Sequence, residues 1–219
     1  MRILLLTHSF NSLTQRLFVE LIRKKHEVSV EFDIHDSITL EAVALFHPDL
    51  IIAPFLRRAI PEAVWKNKTC FIVHPGPPGD RGPSSLDWAI LDGEKEWGVT
   101  VLQANGQMDA GDIWAWTRFP MRLASKSSIY RQEVTEAAVT CVLLAIERFE
   151  LGGFHPEPIS HFSSYLNDRL RPLMKQGDRA IDWVVDNAET VVRKVCAADG
   201  TPGVLDSLFG QKVFLYNAT

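Results

Sequence analysis

Apolar and polar positions along the first half of the chain read as a succession of buried strands and amphipathic helices. Arg2-Ile3-Leu4-Leu5-Leu6 is a short apolar run of the kind a strand buried on both faces requires, and Leu17, Phe18, Leu21 and Ile22 then recur at helical spacing across residues 15 to 25. A second strand is expected over 27 to 34, a short helix over 40 to 46, a third strand over 50 to 53 and, opened by Pro61, a short helix over 62 to 66. Further strands are expected over 70 to 73, 97 to 103 and 113 to 121, the last edge-like and rich in Trp114, Trp116 and Phe119. The plainest helix begins at Ser127, with Tyr130, Val134, Ala137, Ala138, Cys141, Leu144 and Ala145 along one side, and stops at Gly152-Gly153. A proline-bearing connection over 154 to 158 leads to a less regular tail. There 178 to 183 suggests a short segment, 188 to 198 an amphipathic helix, and 204 to 215 a hairpin around Phe209-Gly210-Gln211. Strands alternating with helices predict a doubly wound, mostly parallel α/β sheet over residues 1 to 154, with a small α+β appendage over 155 to 219.

The chain is organised around residues 70 to 112. The apolar run 70 to 73 delivers His74 to the carboxyl end of a buried strand, the end at which open α/β sheets bind ligands. The loop Pro75-Gly76-Pro77-Pro78-Gly79-Asp80-Arg81-Gly82-Pro83 is too rich in Pro and Gly for helix or strand, and its fixed φ angles suit a stiff pocket wall. The strand over 97 to 103 then leads through Ala104-Asn105-Gly106-Gln107 to Met108-Asp109-Ala110-Gly111-Asp112, so a carboxylate is expected to meet the histidine across neighbouring strand ends. One His and one Asp converging there is an acid/base arrangement. Gly79-Asp80-Arg81-Gly82 also reads as a solvated turn with an exposed ion pair, and Asn11, Ser12 and Gln15 also read as caps of the first helix.

Composition narrows the classes. A net charge of −4 argues against a surface built for nucleic acid, which is usually strongly basic. The three cysteines, Cys70, Cys141 and Cys196, are far apart in apolar surroundings and read as reduced core thiols of a cytoplasmic protein. The opening apolar run is broken by Thr7 and His8 before a signal peptide or membrane span is complete. Residues 7 to 14 lack the Gly-Xaa-Gly-Xaa-Xaa-Gly of a dinucleotide site, and the histidines lack ligand spacing for a metal.

His74-Pro75-Gly76, the loop ending in Arg81-Gly82, a short helix, Gly98-Val99-Thr100 and the Asp109-Ala110-Gly111-Asp112 turn together resemble the 10-formyltetrahydrofolate-dependent formyltransferases. That family includes the methionyl-tRNA, glycinamide ribonucleotide and sugar-nucleotide enzymes. The longer stretch from His74 to Ile90 resembles, more narrowly, the amino-terminal domain of the HypX/HoxX hydrogenase maturation family, and Ile181-Asp182-Trp183 resembles the junction that follows the catalytic domain. The resemblance implies formyl transfer from 10-formyltetrahydrofolate, with His74 stabilising the oxyanion and Asp109 orienting it and accepting a proton. It departs at Ile72, where the formyltransferases carry an Asn that shares the oxyanion task. It implies cofactor contacts from Phe55, Arg57, Ile60, Pro77, Arg81, Asn105 and Gly106, and substrate or domain-interface roles for Asn11, Gln15 and Arg131. The narrower resemblance implies coenzyme A as acceptor, a following enoyl-CoA hydratase-like domain that this chain, read as truncated, lacks, and other hydrogenase maturation factors as partners. Two other readings stand beside it: formylation of a sugar-nucleotide or aminoacyl-tRNA amine, and a non-catalytic folate-binding module, for which Ile72 is the sign.

Overall fold

In the computed structural model, which describes residues 1–162, 169–198 and 202–219, the chain begins with three strand–helix units. β1 (Arg2–Thr7) leads into α1 (Ser12–Arg23), β2 (Glu27–Phe32) into α2 (Asp36–Phe46), and β3 (Leu50–Phe55) into the short α3 (Glu62–Trp65). The first two helices start earlier than their apolar periodicity because polar side chains cap them. Asn11 Oδ1 accepts the Thr14 amide at 3.0 Å, and His35 Nδ1 accepts that of Ser37 at 3.2 Å.

β4 (Cys70–His74), the two-residue β5 (Asp80–Arg81) and α4 (Ser85–Asp92) follow, then β6 (Glu96–Gln103) and β7 (Ile113–Pro120). The helix expected from Ser127 is a continuous run of α5 (Lys126–Ile129), a π-helical turn (Tyr130–Val134) and α6 (Thr135–Leu151). Beyond it lie β8 (Arg169–Leu170), α7 (Ala188–Cys196) and the hairpin β9 (Val204–Leu208) and β10 (Gln211–Leu215). Short 3-10 turns at Ile159–Phe162 and Gln176–Arg179 punctuate the tail. The hairpin turns through Phe209 and Gly210, both at positive φ (50° and 75°), which matches the right-handed twist of its strands.

The central six-stranded sheet has the order β2-β1-β3-β4-β6-β7. β2, β1, β3 and β4 run parallel, while β6 is antiparallel to β4 and β7 to β6. Because side chains alternate across a strand, the sheet has two distinct faces. Ile3, Leu5, Ile52, Phe71, Val73, Val99 and Val101 form the larger core with α1, α4 and α6. Leu4, Leu6, Ile51, Ala53 and Cys70 face the other way, where Val43, Phe46, Val64 and Trp65 of α2 and α3 cover them. This second layer is thinner, and the residues that matter for chemistry lie on its side. The mostly parallel sheet sandwiched by helices, and the small two-stranded sheet near the carboxyl end, are the architecture the hydrophobic pattern implied.

One expectation about the strand ends is overturned. Phe71 pairs with Gln103 and His74 with Thr100, so the end of β6 lies beside the start of β4, away from the histidine. The turn 104–112 therefore has to double back over the sheet to bring its carboxylate to His74. Two bonds anchor its base: Ala104 donates to the Cys70 carbonyl and Gln103 to that of Asp112, both at 2.8 Å. Gly111 makes the return possible, since a Cβ there would stand 1.7 Å from the Gln103 carbonyl oxygen.

Candidate active site

His74 and Ile72 share a face of β4, and His74 is 4% exposed. Its ring lies between two carboxylates. Nε2 is 2.8 Å from Asp80 Oδ2, and Nδ1 is 3.5 Å from Asp109 Oδ2. Asp80 is as buried as the histidine, whereas the Asp109 side chain is 13% exposed. Burial on its own would lower the imidazole's proton affinity, but the hydrogen bond the ring gives to Asp80 and the negative charges of Asp109 and Asp80 outweigh it. The ring's pKa is raised. An imidazolium donates from both nitrogens, which suits a carboxylate on each side.

The loop after β4 is packed inside the protein. Residues 76 to 80 are all buried. Ser85 Oγ and Trp97 Nε1 donate to the Pro75 carbonyl at 2.7 and 2.8 Å, and Thr100 Oγ1 donates to that of Gly76 at 2.8 Å. Asp109 adopts φ 48° and its Oδ2 accepts the Gly82 amide at 3.0 Å, while Arg81 Nε donates to the Met108 carbonyl at 2.9 Å. The two arms of the site, 80–82 and 108–109, are thus tied to each other as well as to the ring.

The other candidates fall in three places. Around β3's end, Phe55 is half-buried and its carbonyl accepts the His8 amide at 2.6 Å; Arg57 is exposed, and its amide reaches Asp33 Oδ2 at 3.2 Å. The Ile60 side chain joins the core with Leu6, Ala53 and Ala104, and its main chain makes no hydrogen bond to the described residues. Near the ring, Pro77 is buried against Gly98. Asn105 and Gly106 are exposed on the doubling-back turn, Asn105 Oδ1 accepting the Gln107 amide at 2.8 Å, and a Cβ on Gly106 would meet only the Trp65 ring, at 3.9 Å. The third group stands apart, on α1 and the π-helical turn. Asn11 caps α1 and donates to the Tyr130 hydroxyl at 3.2 Å, Gln15 Nε2 donates to the Phe10 carbonyl at 2.7 Å, and Arg131 Nε donates to the Ser127 carbonyl at 3.0 Å.

Two features escaped sequence reasoning. Asp80 reads as part of a solvated turn but is the histidine's nearest polar partner. Its nearness in sequence to His74, inside a loop of small and apolar residues, was the available signal. Asp33 is the second: it pairs through Oδ1 with His8 Nδ1 at 2.9 Å, and its Oδ2 accepts the Arg57 and Arg58 amides at 3.2 and 3.3 Å. That carboxylate ties the ends of β1, β2 and β3 together beside the strand-order switch between β1 and β3. Among the described residues, no group of three His, Cys, Asp or Glu side chains is placed to hold a metal ion, and no helix is long and apolar enough to cross a membrane.

Comparison with known proteins places the chain in a family. The hydrogenase maturation factor HoxX of Bradyrhizobium diazoefficiens is 59% identical over 218 residues, which cover 100% of this chain and 38% of that protein. The crystal structure of HypX from Aquifex aeolicus in complex with tetrahydrofolic acid superposes with a TM-score of 0.93 at 54% identity, over 99% of this chain and 37% of that one. A methionyl-tRNA formyltransferase from Clostridium thermocellum shares the fold, with a TM-score of 0.79 at 17% identity, over 100% of this chain and 93% of that one. The chain thus spans less than two fifths of the two HoxX/HypX relatives. Residues 10–146, which include β4, the Pro/Gly loop and the Asp109 turn, match the family model described as formyl transferase, and the chain belongs to the formyl transferase family.

Proposed function

We propose that this chain is the formyl-transferring part of a longer hydrogenase maturation protein. It would pass the formyl group of 10-formyltetrahydrofolate to the thiol of coenzyme A, toward the carbon monoxide ligand of a nickel-iron hydrogenase. The observation that carries the transfer reading is the His74–Asp109 pair, 3.5 Å apart beside a folded-back turn. In the net reaction the acceptor atom bonds to the formyl carbon, the bond from that carbon to folate N10 breaks, and the acceptor's proton ends on N10. Asp109, the more accessible carboxylate, accepts the proton and returns it. His74, whose flanking carboxylates favour its imidazolium, opposes the negative charge that builds on the formyl oxygen, and a positioned group of this kind is typically worth about 3 kcal/mol. Ile72 removes a neutral donor from this face, and a thiol, which ionises near pH ~8.5, tolerates that loss better than an amine does.

Two observations suit the cofactor: the Ile60 main chain makes no hydrogen bond to the described residues, and a Cβ at Gly106 would make only ordinary contact with the Trp65 ring. The tetrahydrofolic acid complex of the Aquifex relative supports the same reading. The relatives' further length is consistent with a second, enoyl-CoA hydratase-like domain that processes the thioester, and with docking to other maturation factors. The test is calorimetric titration of the full-length protein with a stable formylfolate analogue, followed by mass spectrometry of acyl-CoA products. Saturable binding and a formyl-CoA product are expected. No heat at millimolar ligand, or formylation of an amino sugar or charged tRNA with none of coenzyme A, overturns the reading.

A further inference from the structure

We propose that Asp80 is a positioning residue for the transfer reaction, holding His74 by Nε2 so that Nδ1 is the ring edge that works with Asp109. The inference rests on the formyl-transfer reading for its consequence but on geometry for its substance. Asp80 Oδ2 lies 2.8 Å from Nε2, an ordinary length for a charge-assisted bond, whereas Asp109 stands off at 3.5 Å. A carboxylate only accepts, so Asp80 obliges Nε2 to carry a proton in either charge state of the ring. Nδ1 is then the nitrogen whose proton comes and goes, and it faces the carboxylate that is nearer to solvent. Asp80 and Asp109 are the charged groups on the ring. Arg81 is the neighbouring cation, and its Nε is directed to the Met108 carbonyl.

Asp80 is fixed for this task from two sides. Its own amide donates to the Pro77 carbonyl at 3.0 Å, closing a tight turn. From the far end of the chain, β8 lies parallel to β5, pairing Arg169 with Asp80 and Leu170 with Arg81, and the Arg171 amide donates to the Arg81 carbonyl at 2.9 Å. Trp88 Nε1 and the Met174 amide extend the seam, donating to the Pro172 carbonyl at 2.9 Å and to Ser84 Oγ at 3.0 Å. The tail thereby pairs along the segment that carries Asp80, and a residue that looks like a solvated turn is 4% exposed. A carboxylate that served only to close the loop could bond any donor; this one bonds the catalytic ring.

The experiment is a pH titration of the His74 ring nitrogens by NMR in the full-length protein, wild type and Asp80→Asn, with formyl-transfer kinetics alongside. In wild type the neutral ring should carry its proton on Nε2. Asp80→Asn should move the ring's titration down by about one pH unit or more, equivalent to the ~1.4 kcal/mol that one unit represents. It should also lower kcat at least tenfold with little change in KM for the folate, and Asp80→Glu should recover part of both. A neutral ring protonated on Nδ1 in wild type overturns the proposal without any variant, and so does an unchanged titration in Asp80→Asn. If wild type transfers no formyl group while the titration behaves as stated, the functional reading fails and the positioning role stands.

Discussion

A Cβ on Gly76 would stand 2.4 Å from Asp80 Oδ2 and 2.5 Å from His74 Nε2, inside the hydrogen bond that joins those two side chains. The glycine is required by that contact rather than by an unusual backbone angle. Gly76→Ala should therefore part the pair and destabilise the protein by about 1–3 kcal/mol, the usual cost of overfilling a packed site. Gly106→Ala, whose new methyl would meet only Trp65 at 3.9 Å, should be nearly neutral. Urea unfolding of both variants checks the contrast, and equal costs would contradict it.

His74 also predicts a pH dependence of stability. Its pKa is raised in the folded protein, so it contributes stability below the ordinary imidazole value of about 6.5 and loses it as pH rises through the higher folded value. The stability difference between wild type and His74→Gln should shrink as pH rises above about 6.5 and through the higher folded value. His26, which burial pushes the opposite way, is present in both proteins and cancels in the difference. A difference that is flat or grows with pH would count against an imidazolium held between two carboxylates.

Arg179 sets up a third comparison. It is 6% exposed, its Nε has no hydrogen-bond partner among the described residues, and its Nη1 lies 3.8 Å from Asp87 Oδ1, which Lys126 Nζ already holds at 2.9 Å. Nη1 also donates to the Ala197 carbonyl at 3.3 Å, but one main-chain bond and a distant carboxylate offset little of the cost of burying this charge relative to an apolar chain of similar length. Arg179→Met should thus unfold within about 1 kcal/mol of wild type, while Lys126→Met, which takes the nearer cation from Asp87, should cost about 3 kcal/mol. Chemical denaturation separates the two outcomes.

The strands could be read from the chain because Ile3–Leu6 and Leu50–Ala53 are apolar runs buried on both faces, a pattern that survives without tertiary context. Helix starts were harder from periodicity alone: the cap at Asn11 could be read, but the cap at His35 leaves no apolar mark. The direction of β6 was not readable. A helix, α4, precedes it as in a parallel crossover, yet the strand returns antiparallel to β4. Asp80 was misread for a related reason: the strand that pairs with its segment, β8, and Arg171 beside it lie far along the chain. His74 and Asp109 stood out because strand end, stiff loop and Asp-Gly turn are local signals, whereas their separation depends on a turn that folds back across the sheet.

That fold-back makes the pair sensitive to a kind of change that ordinary surface loops tolerate. His74 is placed by its pairing with Thr100, and the Asp109 turn is measured from Gln103 on the same strand. One residue inserted or deleted between Thr100 and Gln103 would reverse every side chain beyond it to the opposite face and move the base of the turn by about 3.3 Å. Residues added to the loops around α2 or to the β9–β10 turn would leave both registers unchanged. Between β4 and Asp109 the spacing itself is not free to drift, any more than Gly76 or Asp80 is free to change.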